Sequence, residues 1–283
     1  MATYLVAGAY VMQVAILDDD NFPMGTLITP DAPVAGTEYH PYVVPALVEF
    51  APSQPTYANA FSYAGQKIRG RRPLGATDYG IGTVTLSEFD DVFDALVMGH
   101  TIDTTTATNI RVTATNALRV QQRRFMVAFT GGATPSDSLP NYTTIVELNV
   151  YFERQPSGVN QNGGQNPNNV VYNMYVNASN RTVWGQLLSA ATVNVDGDSD
   201  TEMRLYYSAP FMFSSYVDDG AETTYTLPYT PSSTEHAGAT NIFFQEGTIA
   251  HNQVSGVSGT TVTKTAQDSG DRWVTWFPSV GAL

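Results

Sequence analysis

Apolar side chains in this sequence recur at every second position through most of the chain, and at every third or fourth position in a single stretch. That contrast constrains the fold strongly. Alternation turns one face of a strand toward a core, whereas a 3.6-residue period turns one stripe of a helix there. Within residues 81–86, Val84 and Leu86 alternate with Thr83 and Thr85. Ile110, Val112, Ala114, Leu118 and Val120 oppose Arg111, Thr113, Thr115 and Arg119. A strand with Phe125, Val127 and Phe129 follows, then one whose apolar face is Val146, Leu148, Val150 and Phe152, then one with Val170, Tyr172, Met174 and Val176. Further strands are expected at 192–195, 202–207, 211–217, 223–227, 241–244, 260–265 and 272–277. No repeat of fixed period occurs. The pattern predicts a mainly β, mostly antiparallel fold with one docked helix.

The helix is expected at residues 87–99, SEFDDVFDALVMG. Ser87 is a suitable N-cap, and Asp90 three residues on completes a capping-box variant. Asp90 and Asp91 then lie in the first turn, where the helix dipole favours anions. Phe89, Val92, Phe93, Leu96 and Val97 form one apolar stripe for packing on the sheet. Gly99 stops the helix, and a cation on His100 would suit its C-terminal end.

Two other regions depart from regular alternation. Residues 22–80 contain eight prolines, from Pro23 to Pro73, with Gly65, Gly70, Gly75 and Gly80 in the second half. The expectation is a long functional or binding loop with at most short strands, the best at 42–49 on a sheet edge. Residues 157–169, SGVNQNGGQNPNN, read as a polar, low-complexity gap. The first 17 residues carry no charged side chain. They lack the basic region of a signal peptide and the unbroken length of a membrane span, so a strand or two, buried on both faces or at a subunit contact, is expected.

Composition narrows the chemistry. The 283 residues include 26 acidic and 13 basic ones, a net charge of −13, and no cysteine. One large domain or two modest ones fit the length. Thiol chemistry and disulfides are excluded. The acidic balance disfavours tight binding to nucleic acid or to an anionic membrane. Charged residues make up only 14%, against a usual ~25%, and the basic ones are Arg apart from Lys67 and Lys264. A surface poor in charge and rich in Tyr, Thr and Asn suits coverage by partners.

No catalytic constellation emerges. His40, His100, His236 and His251 lack metal-ligand spacing. The run from Asp196 to Glu202 lacks the Gly and Glu of a calcium loop. It reads better as an Asp-Gly hairpin turn, with weak cation binding as the competing view. No nucleophile elbow, phosphate loop or dinucleotide fingerprint is present, so neither an enzyme nor a cofactor is expected. The sequons at Asn141, Asn177 and Asn180 would matter only in a glycosylating compartment. The sharpest charge feature is Lys67, Arg69, Arg71 and Arg72, four of the 13 basic residues within six positions. A solvated loop and a nucleic-acid patch are alternatives. The preferred functional reading is a subunit interface with an acidic surface of a neighbouring copy, because Arg suits interface ion pairs. Arg123-Arg124 is the other basic pair.

This order of elements resembles the major tail tube proteins of long-tailed, siphovirus-like phages and of archaeal tailed viruses. The cues are the apolar N-terminal stretch, the long Pro/Gly-rich loop and the strand running straight into a capped helix, GTVTLSEFDDVFDALVMG at 82–99. The F-x-V-x-F strand, the strand at 142–152 with Arg154-Gln155-Pro156 behind it, and a closing strand through Val176 complete the set. The resemblance covers roughly residues 1–188, a tail-tube-like domain with loop 22–80 and helix 87–99. Residues 189–283 would be an all-β C-terminal domain or extension.

The resemblance implies a β-sandwich or barrel with one flanking helix. Six copies would form a ring, and stacked rings would form the tail tube of the virion, assembled in the host cytoplasm without a membrane. Other tail proteins would cap the tube ends. Viral DNA would pass through the lumen during ejection without specific binding. Two alternatives stand beside it. One is a capsid decoration or fibre protein. The other is a carbohydrate-binding module or β-sandwich hydrolase using Trp184, Trp273 and Trp276 as sugar platforms, although core packing is the preferred role of those tryptophans.

Overall fold

The computed structural model describes residues 9–27, 33–45, 47–52, 55–64, 67–79, 81–103, 111–113, 123–132, 142–155, 169–177, 204–207, 211–231, 243–246, 249–251, 254–264 and 268–279. The first strands are β1 (Ala9–Ile16), β2 (Thr37–Tyr39), β3 (Tyr42–Val44), β4 (Leu47–Ala51), β5 (Pro55–Ala64), β6 (Lys67–Tyr79) and β7 (Gly82–Leu86). Helix α1 (Asp91–Met98) follows, then β8 (Thr101–Asp103), β9 (Arg111–Thr113), β10 (Phe125–Gly132), β11 (Tyr142–Arg154) and β12 (Val170–Val176). The remaining strands are β13 (Arg204–Tyr207), β14 (Phe211–Val217), β15 (Thr224–Thr226), β16 (Phe243–Glu246), β17 (Ile249–His251), β18 (Val254–Ser258), β19 (Thr261–Lys264) and β20 (Arg272–Pro278). The protein is mainly β, its sheets are antiparallel, and α1 is the one helix among the described residues.

The largest sheet runs β3-β1-β10-β11-β12-β7-β4. Its two end strands, β3 and β4, are separated by only residues 45 and 46, so the sheet must curl until its ends meet. Phe50 of β4 accordingly stacks on Phe129 of β10 with ring centroids 3.4 Å apart. Inside the curl lie Met12, Val14, Ile16, Val84, Leu86, Phe125, Val127, Tyr172 and Met174 together with Phe93 and Leu96 of α1. The other face of this sheet offers Ala15, Leu17, Met126, Ala128, Val146 and Leu148 to Phe213, Val217, Val274 and Trp276 of a second sheet, β17-β16-β20-β14-β2. The far face of that second sheet, through Met212, Tyr216, Trp273 and Phe277, packs on Tyr225 and Val262 of a third, β15-β19-β18. Successive residues of β1, β10, β14 and β20 thus serve two cores, and the N-terminal strand is buried on both faces as expected. Each fully buried large apolar side chain contributes roughly 1.5–3 kcal/mol.

The strand with Val146, Leu148, Val150 and Phe152 does not keep one apolar face. Phe125 pairs with Val150 but Val127 with Glu147, so three residues of β11 oppose two of β10. This bulge reverses the facing: Val146 and Leu148 point to the second sheet, and Val150 and Phe152 into the curl. β11 is also long enough, at 13 residues, to carry two partners on one edge. β12 pairs with its second half and β13 with its first. With β2 contributed to the second sheet, strand pairing interleaves the parts on either side of residues 188 and 189.

The helix is shorter than expected. Asp90, not Ser87, is the N-cap, and its carboxylate accepts from the amides of Val92 and Phe93, both at 3.0 Å. The Tyr42 hydroxyl donates to the same carboxylate at 3.0 Å, which fixes the cap to β3. A charged cap anchored by a neighbouring strand outcompetes the serine three residues earlier. Phe89 therefore falls outside the helix and outside the apolar stripe. It is 46% exposed, with the Arg154 guanidinium 4.9 Å above its ring. Phe93 and Leu96 are buried, and Val92 and Val97 pack partly against the core. Gly99 ends the helix at φ 70°, a left-handed conformation that glycine adopts readily. Gly25 has a stricter role: at φ 60°, an added Cβ would lie 2.5 Å from the His40 carbonyl oxygen.

Candidate assembly interface

Residues 22–80 are not one loop. Within them β5 and β6 form a long antiparallel hairpin that pairs with no other strand among the described residues. β5 has 10 residues and β6 has 13. The difference is taken up by register shifts at three places along the ribbon. Such bulges bend and twist a ribbon. They also explain how Gly70 and Pro73 sit within a strand, since each strand of a two-stranded ribbon has a free edge. The expected interface residues all lie on β6. Lys67 pairs with Ala64, Arg71 with Phe61 and Arg72 with Ala60, and Arg69 is the extra residue between the pairs Ile68–Tyr63 and Gly70–Ser62.

Every basic side chain whose placement is described elsewhere is engaged within the chain. Arg123 donates to the Leu96 carbonyl at 3.0 Å and so caps the end of α1. Arg124 donates to Asn21 Oδ1 and to the Asp18 carbonyl, both at 2.6 Å. Arg272 bridges Asp18 at 3.2 Å and Asp20 at 3.0 Å, tying β20 to the turn after β1. Arg154 meets Asp94 at 3.2 Å. Lys264 pairs with Asp218, and both are almost wholly buried.

That last pair forms the floor of an acidic corner that the sequence did not single out. Asp218 also accepts from the Gly220 amide at 2.9 Å, and the Lys264 ammonium reaches the Glu222 carbonyl at 2.8 Å while lying 5.0 Å above the Tyr216 ring. Asp219 takes the amides of Ala221 and Glu222 at 2.9 and 2.8 Å, which hold its carboxyl below the usual range. Above the floor is a pocket of about 360 Å³ lined by Gly36, Thr37, Glu38, Tyr216, Glu222 and Thr224. Glu38 accepts from the Thr226 amide at 2.8 Å, and Glu222 accepts from the Thr224 hydroxyl at 2.7 Å. No Arg or Lys among the described residues lies within ion-pair distance of the Glu38 or Glu222 carboxylate; the His40 imidazole lies 3.7 Å from Glu38. The Tyr216 hydroxyl is buried and has no hydrogen-bond partner among the described residues. Burial, then the charges of Asp218, Asp219, Glu222 and Glu38, push its pKa far up. The available sequence signal was Lys264 at an inward position of a Thr-Val-Thr-Lys strand, where Val262 and Lys264 are buried and both threonines exposed.

The other candidates resolve differently. Trp273 and Trp276 are 1% and 0% exposed and belong to the core, so neither offers a sugar platform. Burial holds His40 below the usual histidine pKa. Trp184, His236, Asn141, Asn180, the Asp196–Asp200 run and the polar gap up to residue 168 lie outside the described residues. No group of three or more His, Asp or Glu among the described residues has metal-site geometry. Compared with known proteins, the chain matches no family model and no curated protein. What the described residues define is a mainly β protein of acidic composition with a separate two-stranded hairpin rich in basic residues.

Proposed function

We propose that this chain is a structural virion protein that self-assembles into six-membered rings stacked as a tail tube, the conduit for viral DNA. The observation that carries this reading is the β5–β6 hairpin. A two-stranded ribbon is marginal in water on its own and gains stability by lying on another surface. This one finds no further strand among the described residues and carries four basic residues on a protein of net charge −13. A neighbouring copy supplies both the surface and the opposite charge. Contacts of this head-to-tail kind close into rings or propagate as filaments. Pairing between copies also covers strand edges that otherwise invite aggregation. An acidic inner wall would keep DNA from adhering while it passes.

Negative-stain images of the purified, concentrated protein test the proposal. Rings or hollow tubes are the expected outcome. Trimers or knobs would favour a fibre or decoration protein instead, and monomers at every concentration would contradict self-assembly.

A further inference from the structure

The acidic pocket and the basic hairpin are complementary, and nothing described within one copy joins them. We infer that the pocket between β2 and β14 receives the basic segment of β6 from a second copy, with an arginine guanidinium seated between Glu38 and Glu222. The inference rests on the assembly reading and deepens it by naming the acceptor surface.

Three observations support the assignment. The first is chemical. A guanidinium is planar, carries five donors and has no acceptor. The pocket offers two carboxylates beside Tyr216, whose hydroxyl is a buried polar group with no hydrogen-bond partner among the described residues. Buried polar groups without partners are rare in finished structures. The second is the supply of cations. Arg123, Arg124, Arg154, Arg272 and Lys264 all have partners within the chain. Lys67, Arg69, Arg71 and Arg72 are the densest cluster among the other eight basic residues of the chain. The third is shape. At about 360 Å³ the pocket is far larger than a bare metal ion needs, and no described cluster has metal-site geometry. A long, flat side chain with its apolar stem fits a site walled by the Tyr216 ring.

The test is a reciprocal charge reversal. One variant carries Glu38→Lys and Glu222→Lys with the natural hairpin. The other carries Arg69→Glu, Arg71→Glu and Arg72→Glu with the natural pocket. Far-UV circular dichroism and thermal melting check that each is folded. Wild-type protein is expected to assemble, neither variant alone should, and an equimolar mixture should, because each copy then meets an opposite charge in its neighbour. A wild type that assembles while the mixture does not, or either variant assembling like wild type, overturns the pocket assignment and leaves the assembly reading intact. A wild type that stays monomeric overturns both. Should a reversed variant fail to fold, Glu38→Gln with Glu222→Gln keeps the acceptors for Thr226 and Thr224. It should raise the protein concentration needed for assembly by about tenfold or more. Unchanged assembly by that variant overturns the assignment.

Discussion

Two buried aspartates, one in the helix and one at the acidic corner, are held by similar groups and end in different states. Asp94 of α1 meets Arg154 at 3.2 Å and accepts from the Tyr172 hydroxyl at 3.0 Å. Carboxylate, base and tyrosine satisfy one another. Asp218 has the same company, a base in Lys264 and a tyrosine in Tyr216, but here the tyrosine hydroxyl has no partner among the described residues and two further carboxylates line the pocket beside it. The first arrangement is closed and holds the helix on the sheet. The second is closed only at its floor. The lesson is that a buried ion pair by itself says little about function, whereas the polar groups left over around it say more.

Substitutions that break this comparison differ in size. Phe93→Asp should have the largest effect, beyond about 5 kcal/mol, because it places an unpaired carboxylate where a ring now contacts Phe152 and Tyr172. Loss of protease resistance and of the far-UV spectrum would register it; a folded variant would show that the buried face is misassigned. Lys264→Met should follow at about 3–5 kcal/mol, since it strands the Asp218 charge in the interior. Urea titration would measure that loss, and adding Asp218→Asn should recover part of it.

The two tyrosines sharpen the contrast further. Tyr172→Phe should cost about 1–2 kcal/mol by removing a donor to Asp94. Tyr216→Phe should leave monomer stability within about 0.5 kcal/mol of wild type, because its hydroxyl makes no bond to any described residue. Equal losses in denaturant would erase the distinction between a closed and an open site. His40 gives a smaller, pH-dependent effect. Burial lowers its folded pKa below 6.5, so the unfolded chain binds a proton first. Stability from this residue is complete above pH 6.5 and declines as pH falls toward the folded value. His40→Gln should flatten that slope. Smallest for the fold is Arg69→Ala with Arg71→Ala and Arg72→Ala, which should leave the melting temperature unchanged yet abolish rings.

Much of the architecture was legible in the sequence where one rule governed a segment. β12 alternates through all seven residues, and the strands at 211–217 and 272–277 were placed within a residue of their ends. The helix was legible in kind but not in its start, because Ser87 and Asp90 are both good caps and only the contact from Tyr42 decides between them. The reversal along β11 was hidden because a bulge leaves the sequence alternation intact while turning the strand over. The β5–β6 hairpin was hidden for another reason. Prolines and glycines argue against central strands, and a two-stranded ribbon has none. The basic cluster stood out by charge alone, but its acidic counterpart did not. Glu38 and Glu222 lie 184 positions apart, and only strand pairing between β2 and β14 brings their segments together.

The central claim is that the hairpin makes this chain associate with copies of itself. Sedimentation velocity of the purified wild-type protein across a hundredfold range of concentration tests it most directly. A shift from a 30.6 kDa species to ring-sized and larger species is expected as concentration rises, reversed by high salt as the basic hairpin is screened. A single 30.6 kDa boundary at every concentration and salt would contradict it.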